Sequence, residues 1–322
     1  MPENLIINGC PPFDYDVIIP GDKSITHRAI ILASMCEDAV TIFNPLLSDD
    51  CLSTISVMRD LGVKIDINDK TLIIEGKGIG KFLCPGKSLN AGNSGTLIRL
   101  ISGVLAVQDF ESEISGDSSL VLRPMNRISD PLNKIGSKVV TNNGKPPIKF
   151  KVAKNVQSFN YENILASAQV KSCLMFAGLY ADGPVVIKEK IQTRDHTELM
   201  FKKFGVDVSI EEVKGLKEVC VLPPKSIDAT NINIPGDFSS AAFFILGALI
   251  TPGSDLKLMN VGINKTRIAL LKVLKEMGAD IKLSNLINEY EPCADISIRA
   301  SELKGVTLDP KLVPNLIDEM PV

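Results

Sequence analysis

The sequence predicts an α/β fold of the α+β kind, built from repeated β-α-β-α-β-β units. Three observations predict it. Four apolar helical runs each end in a Gly that leads into a short β-like run, and the glycines, Gly62, Gly136, Gly205 and Gly278, lie 74, 69 and 73 residues apart. Four polar turns of small residues open apolar helices at a matching rhythm. β-Rich runs such as residues 39–43 and 184–187 fall between the two helices of a unit.

The elements follow in order. Gly21-Asp22-Lys23-Ser24 opens the first helix, and Met58-Arg59-Asp60-Leu61-Gly62-Val63-Lys64-Ile65 closes the first unit. Gly92-Asn93-Ser94-Gly95-Thr96 opens the second, which turns at Leu132-Asn133-Lys134-Ile135-Gly136. Ser167-Ala168-Gln169 opens the third, which turns at Phe201-Lys202-Lys203-Phe204-Gly205. Gly236-Asp237-Phe238-Ser239-Ser240 opens the fourth, which turns at Leu274-Lys275-Glu276-Met277-Gly278. A Gly just past a helix supplies the left-handed residue that lets the chain turn into a strand. The first and fourth openings share Pro-Gly-Asp-x-Ser, at Pro20 and Pro235. Four units of about 70 residues fit between residues 20 and 308. Residues 313–322 then read as a further turn entering a further helix, so the chain is expected to be cut there, the alternative being a frayed terminus.

Length and composition bound the function. The 322 residues are 45% hydrophobic and 23% charged, with a net charge of −3. At roughly 100–200 residues per domain this is a two-domain length. Apolar content this high excludes disorder as the main state. Near-neutral charge, no Trp and 5% aromatics argue against nucleic acid as a partner. Met1-Pro2-Glu3-Asn4 has no basic region of a signal peptide, and the longest strongly apolar run, residues 241–250, is about half a membrane span. Seven cysteines, none spaced Cys-x-x-Cys, with His27 and His196 the only histidines, make a metal site or disulfide framework an unfavoured reading. The expectation is a cytoplasmic protein with reduced thiols and no membrane association.

The chemistry lies at the helix openings. A helix N-terminus presents unpaired N–H groups and partial positive charge, and small residues let an anion approach them. Lys23 and Ser24 add an ammonium and a hydroxyl there, and Arg28 follows one turn on. A nucleotide-binding P-loop is excluded, because Asp22 separates Gly21 from Lys23 and Asp16 stands where the leading Gly belongs. The turn before Gly95 suits close approach of a phosphate or carboxylate, and reads alternatively as an ordinary cap. Arg123, fixed beside Pro124, suits a carboxylate fork, or a surface ion pair. Ser167 and Gln169 offer a hydroxyl and an amide; Lys171 comes next, reading alternatively as plain surface. Thr193 and Arg194 enter the second helix of the third unit, and His196 reads as a local hydrogen-bond partner. Asp318 and Glu319 form an acidic pair that first-turn acids of a helix would also explain.

These residues carry a resemblance. Pro20-Gly21-Asp22-Lys23-Ser24-Ile25-Thr26-His27-Arg28-Ala29 resembles the N-terminal signature of the 5-enolpyruvylshikimate-3-phosphate synthase family. Residues 92–96, Leu122-Arg123-Pro124, residues 167–169, Arg194-Asp195-His196 and Asn315-Leu316-Ile317-Asp318-Glu319 resemble its later motifs, in order. The resemblance runs from near residue 5 to Val322. It implies an enolpyruvyl transferase fold of two domains with pseudo-threefold symmetry, three units each. Residues 21–234 would form the complete N-terminal-type domain, and residues 1–20 with 235–322 a partial second one. It implies transfer of the enolpyruvyl group of phosphoenolpyruvate to the 5-hydroxyl of shikimate 3-phosphate, without metal or other cofactor, by a protein that is a monomer at full length.

The resemblance also assigns roles. Lys23 would touch both substrates. Ser24, Arg28, Ser167, Gln169 and, in part, Thr193 or Arg194 would bind shikimate 3-phosphate, Arg28 through the ring carboxylate. Gly95, Arg123 and Gln169 would face phosphoenolpyruvate, and Asp318 would accept the 5-hydroxyl proton. Ala168 stands where many relatives have a second Ser. The family's Lys-Glu-Ser-Asp-Arg segment, with its proton-transferring Glu, would follow Val322, so the 322 residues alone are expected to be inactive. Two other readings stand beside this one. The UDP-N-acetylglucosamine enolpyruvyl transferases are similar, but carry a reactive Cys before their Arg-Pro pair, and no Cys lies between Cys84 and Cys173. The other is a non-catalytic fragment that binds shikimate 3-phosphate.

Overall fold

The computed structural model describes residues 9, 11–152 and 156–322; the N-terminal reading at residues 1–4, and Cys10, lie outside the described residues. The chain forms two compact units, one spanning Gly21–Ile234 and the other joining the chain up to Pro20 with Pro235–Val322.

Strand β1 (Asp16–Ile18) precedes the Gly21–Ile234 unit. That unit begins with α1 (Lys23–Ala33), β2 (Ala39–Phe43), α2 (Asp49–Asp60), β3 (Lys64–Asn68) and β4 (Thr71–Glu75). Next come β5 (Leu89–Asn90), α3 (Gly95–Leu105), β6 (Ser112–Ser115), α4 (Asn126–Lys134), β7 (Lys138–Asn142) and β8 (Lys145–Lys151). It ends with β9 (Phe159–Glu162), α5 (Ala168–Gly178), β10 (Val185–Glu189), α6 (His196–Lys203), β11 (Val208–Val213), β12 (Leu216–Val221) and β13 (Ile232–Asn233). The other unit adds α7 (Phe238–Ile250), β14 (Asp255–Gly262), α8 (Ala269–Glu276), β15 (Asp280–Asn288) and β16 (Pro292–Arg299).

The strands form four small sheets of one pattern, ordered β13-β2-β4-β3, β5-β6-β8-β7, β9-β10-β12-β11 and β1-β14-β16-β15. In each, the first two strands are parallel, and the third is antiparallel to both its neighbours. The junction glycines are left-handed, with φ of +90° at Gly62, +99° at Gly136, +75° at Gly205 and +100° at Gly278. That conformation excludes most side chains, so these positions fix where α2, α4, α6 and α8 give way to strands. One feature of the pairing is not local. The strand before α1 joins the sheet of β14, and the strand before α7 joins the sheet of β2.

Helices α1, α3 and α5 are the interior of the Gly21–Ile234 unit. Every residue of α1 from Ile25 onward is buried, polar Thr26, His27 and Arg28 included. A helix buried all round lacks a polar face, as the mixed pattern of these three shows. Gly103 lets α3 approach α5: a Cβ there would lie 2.0 Å from the carbonyl oxygen of Cys173. Burial raises the thiol pKa of Cys36 and Cys51 to about 12, and the six described cysteines are all free.

In the other unit Phe238, Ala241, Ile245 and Leu249 of α7 pack with Leu256 and Leu258 of β14 and Ile296 and Ile298 of β16. The apolar run at 241–250 is thus part of a 13-residue helix, and among the described residues no helix is long and apolar enough to cross a membrane. The terminal segment differs from the sequence expectation. Residues 310–315 make a 3-10 turn followed by further turns, not the start of an α-helix. Leu316 enters the α7 core, so the segment buries its apolar side chain without a helix.

Candidate active site

The cavity of interest lies wholly within the Gly21–Ile234 unit, where the starts of its three interior helices meet. Its volume is about 250 Å³, and Lys23, Asn93, Arg99, Arg123 and Gln169 are among its lining residues, with Asp50 the one carboxylate. Each helix start is capped from within its own sequence. Asp22 accepts from the N–H of Ile25 at 2.9 Å, Ser94 from Leu97 at 3.1 Å and Ser167 from Val170 at 3.4 Å. Capping fixes the backbone direction and aims the first-turn side chains at a common space.

The polar side chains hold one another. Arg99 Nη1 donates to Gln169 Oε1 at 2.7 Å, and Gln169 Nε2 donates to Thr96 Oγ1 at 3.3 Å. Arg123 donates to Asn93 Oδ1, while Asn93 Nδ2 donates to Asp117 Oδ2 at 2.6 Å. Asp117 also accepts from the N–H groups of Leu120 and Ser119. Those bonds, that of Leu120 foremost, hold its carboxyl below the usual range. The relay Asp117–Asn93–Arg123 anchors the guanidinium at the cavity wall. Gly95 is small for a reason: a Cβ there would lie 2.9 Å from Arg123 Nη1 and 3.2 Å from Arg99 Nη1.

Electrostatics set the preference for ligand. Lys23 Nζ is 3.3 Å from Asp50 Oδ2, with 46% of the lysine side chain exposed. Burial, then the charges of Arg127 and Arg123, push the Arg99 guanidinium down to about 10. Three cations face one carboxylate here, so an incoming anion relieves their mutual repulsion.

The remaining sequence candidates sit elsewhere. Ser24 and Ser167 are half-buried at the starts of α1 and α5, outside the cavity lining. Arg28 is 3% exposed and turned inward: Nε donates to Thr197 Oγ1, Nη1 to the Ser24 carbonyl and Nη2 to Ser172 Oγ, each at 2.8 Å. Thr193 is buried, donating to Glu189 Oε1 at 2.6 Å, and Arg194 is half-buried just before α6. Lys171 is neither surface nor at the cavity. It is fully buried, 2.9 Å from Glu189 Oε2 and 2.6 Å from Glu198 Oε1, because its stem runs into the interior between α5 and α6. Asp318 belongs to the other unit and lies 3.6 Å from Arg267 Nη1, 48% exposed. Glu319 is buried and accepts from Ser239 Oγ at 2.6 Å. The acidic pair is therefore held by side chains and not by a helix dipole.

Asn93, Thr96, Arg99 and Asp50 were not singled out as site residues by the sequence. Arg99 was within reach of it, lying four residues after Gly95 and three after Thr96 on one helix face. Among the described residues no group of three or more His, Cys, Asp or Glu is arranged to hold a metal ion.

The fold and this cavity define a class of protein: an α/β repeat protein that gathers helix N-termini, ammonium and guanidinium groups around a small cavity suited to anions. Comparison narrows the class. The family model for EPSP synthase (3-phosphoshikimate 1-carboxyvinyltransferase) matches residues 8–322. A curated 3-phosphoshikimate 1-carboxyvinyltransferase of Endomicrobium trichonymphae is 47% identical over 308 residues, covering 94% of this chain and 70% of that protein. Its counterpart in Ruthia magnifica subsp. Calyptogena magnifica is 45% identical over 305 residues, covering 94% and 69%. A solved EPSP synthase of Acinetobacter baumannii superposes with a TM-score of 0.89 at 40% identity, covering 98% of this chain and 71% of that one. The chain belongs to the EPSP synthase family, a family of transferases of the shikimate pathway, and spans about 70% of the length of these relatives.

Proposed function

We propose that the protein transfers the enolpyruvyl group of phosphoenolpyruvate to the 5-hydroxyl of shikimate 3-phosphate, releasing phosphate. The observation that carries this reading is the cavity in which Lys23, Arg99 and Arg123 converge on the starts of three helices. Both substrates are polyanions, and such a site stabilises charge through groups already in place.

In this reading a proton adds to C3 of phosphoenolpyruvate and C2 becomes cationic. The 5-hydroxyl oxygen bonds to C2 and its proton passes to Asp318. The tetrahedral adduct then loses the C3 proton as the C2–O bond to phosphate breaks. Lys23 contacts both substrates, and Gly95, Arg123 and Gln169 face phosphoenolpyruvate. Ser24, Arg28, Ser167, Gln169, Thr193 and Arg194 serve shikimate 3-phosphate. For Arg28 and Thr193 the support is motif position, since both side chains have buried protein partners. In this reading residues 21–234 are the complete N-terminal-type domain; they form one compact unit, and the cavity lies inside it. An odd number of cysteines, none spaced Cys-x-x-Cys, supports a reducing, cytoplasmic setting. The relatives are longer than these 322 residues.

Calorimetric titration with shikimate 3-phosphate, alone and with phosphoenolpyruvate, tests the reading. Saturable binding by the chain, weakened tenfold or more in Lys23→Met with its melting temperature unchanged, is the expected result; losing a charge-assisted contact costs about that much. Absence of binding by folded protein at millimolar ligand overturns it. A phosphate-release assay on the same chain separates binder from enzyme.

A further inference from the structure

Lys171, Glu189 and Glu198 form a fully buried ion triad on α5, β10 and α6. Burying three charges is costly, and such groups need partners at every polar atom. The two carboxylates are partnered differently. Glu189 Oε2 faces Lys171, while its Oε1 accepts from Asn163 Nδ2 at 3.0 Å and from Thr193 Oγ1 at 2.6 Å. Glu198 faces Lys171 from α6, and among the described residues no hydrogen bond joins it to the loop before α5.

Asn163 is the anchor of that loop. Its backbone N–H donates to the Lys188 carbonyl at 2.8 Å, its Nδ2 to the Ser167 carbonyl at 3.2 Å, and its Oδ1 accepts from the Ser167 N–H at 3.4 Å. Between Asn163 and Ser167 the chain is on the surface, with Ile164 83% and Leu165 65% exposed. Ala166 there is left-handed, at φ +45°, a conformation an alanine holds only when its surroundings impose it. Packing therefore does not fix this loop; the Asn163 hydrogen bonds do. Burial works against the Lys171 ammonium, but the two carboxylates outweigh it and hold its pKa above the ordinary lysine value. Burial pushes the Glu198 carboxyl up, against the pull of Lys171.

We propose that Glu189, held by Lys171, is a positioning residue that sets the Asn163–Ser167 loop and Thr193 in the geometry that receives the phosphate-bearing substrate at the start of α5. The proposal rests on the functional reading above, in which Ser167, Gln169 and Thr193 serve shikimate 3-phosphate. Glu189 touches no substrate. It acts through Asn163, which orients Ser167, and through Thr193.

The test compares Glu189→Gln with Glu198→Gln, two isosteric changes at equally buried members of one triad. At position 189 an amide cannot both accept from Asn163 and Thr193 and face the ammonium as a carboxylate does. At position 198 it leaves a neutral Lys171–Glu189 pair intact. Glu189→Gln and Asn163→Ala are expected to raise the calorimetric Kd for shikimate 3-phosphate by roughly tenfold or more, with Glu198→Gln close to wild type. Hydrogen exchange at residues 164–170 is expected to quicken in Glu189→Gln and not in Glu198→Gln. A purely structural triad would lower stability in both variants and separate neither readout. Should Glu189→Gln fail to fold, Asn163→Ala and Thr193→Val remove its partners and carry the same comparison. Wild-type affinity in the folded loop-side variants, or equal weakening in Glu198→Gln, overturns the proposal. If the wild type binds no shikimate 3-phosphate, the functional reading fails, and the exchange readout alone decides whether Glu189 positions the loop.

Discussion

Arg99 Nη1 donates to Gln169 Oε1 at 2.7 Å, joining two interior helices by side chains 70 residues apart in sequence. The amide of Gln169 continues to Thr96, so one side chain spans α3 and α5 at the cavity. Gln169→Ala leaves the half-buried Arg99 guanidinium without this acceptor and opens the wall between the helices. We expect the affinity for shikimate 3-phosphate to fall by roughly tenfold, the scale of a lost charge-assisted hydrogen bond. Calorimetry at low and high salt checks it, and an affinity equal to wild type would remove Gln169 from the site.

Gly95 tests the phosphoenolpyruvate side separately. An added Cβ would sit 2.9 Å from Arg123 Nη1 and 3.2 Å from Arg99 Nη1, against the ends of side chains and not against backbone. The guanidinium groups can therefore shift, at the expense of their aim. Gly95→Ala is expected to keep its melting temperature and its affinity for shikimate 3-phosphate, while binding of phosphoenolpyruvate to that complex weakens severalfold. Equal loss for both ligands would show that the two do not occupy separate parts of the cavity.

Gly103 is the contrasting case. A Cβ there would lie 2.0 Å from the carbonyl oxygen of Cys173 and 2.8 Å from its carbon, both backbone atoms of the neighbouring helix. Backbone cannot step aside as a guanidinium can, so α3 and α5 must separate. Overpacking of this kind costs about 1–3 kcal/mol and occasionally more. Gly103→Ala should lower the urea midpoint clearly, and an unchanged midpoint would contradict the helix contact.

His27 gives a pH dependence. It is fully buried, with Nδ1 2.6 Å from Thr54 Oγ1, and burial, then Arg28 and Lys23, push its pKa down to about 3. In the unfolded chain it returns to 6.5, so between those values the unfolded state binds the extra proton. The contribution of neutral His27 is complete above 6.5 and declines as pH falls below it. Wild type should lose stability between pH 7 and 4.5 more steeply than His27→Gln, measured by urea midpoints. Titration of the His27 imidazole near 6.5 in the folded protein, read by NMR, would contradict its burial.

The local parts of this protein were legible in the residues. A left-handed glycine after a helix and a small polar cap before one act over four or five positions, which is why Gly62, Gly136, Gly205 and Gly278 and the openings at Asp22, Ser94 and Ser167 could be read directly. Lys23, Gly95 and Gln169 followed because they lie at or beside those openings, and Arg123 because Pro124 fixes the turn beside it. The direction of a long side chain was not legible. Arg28 and Lys171 stand one turn inside helices whose faces are all buried, so periodicity offers no polar side to aim them at. Their targets, Ser172 and Thr197 for one and Glu189 and Glu198 for the other, lie on elements distant in sequence.

The sequence by itself therefore determined the repeating unit, its boundaries and the chemical character of its helix starts, since each depends on backbone preferences within a turn. Only the tertiary structure decided which starts share a cavity, and that Asp117 and Asn93 hold Arg123. Those outcomes depend on burial and pairing between segments far apart in the chain, where no local preference selects one partner over another.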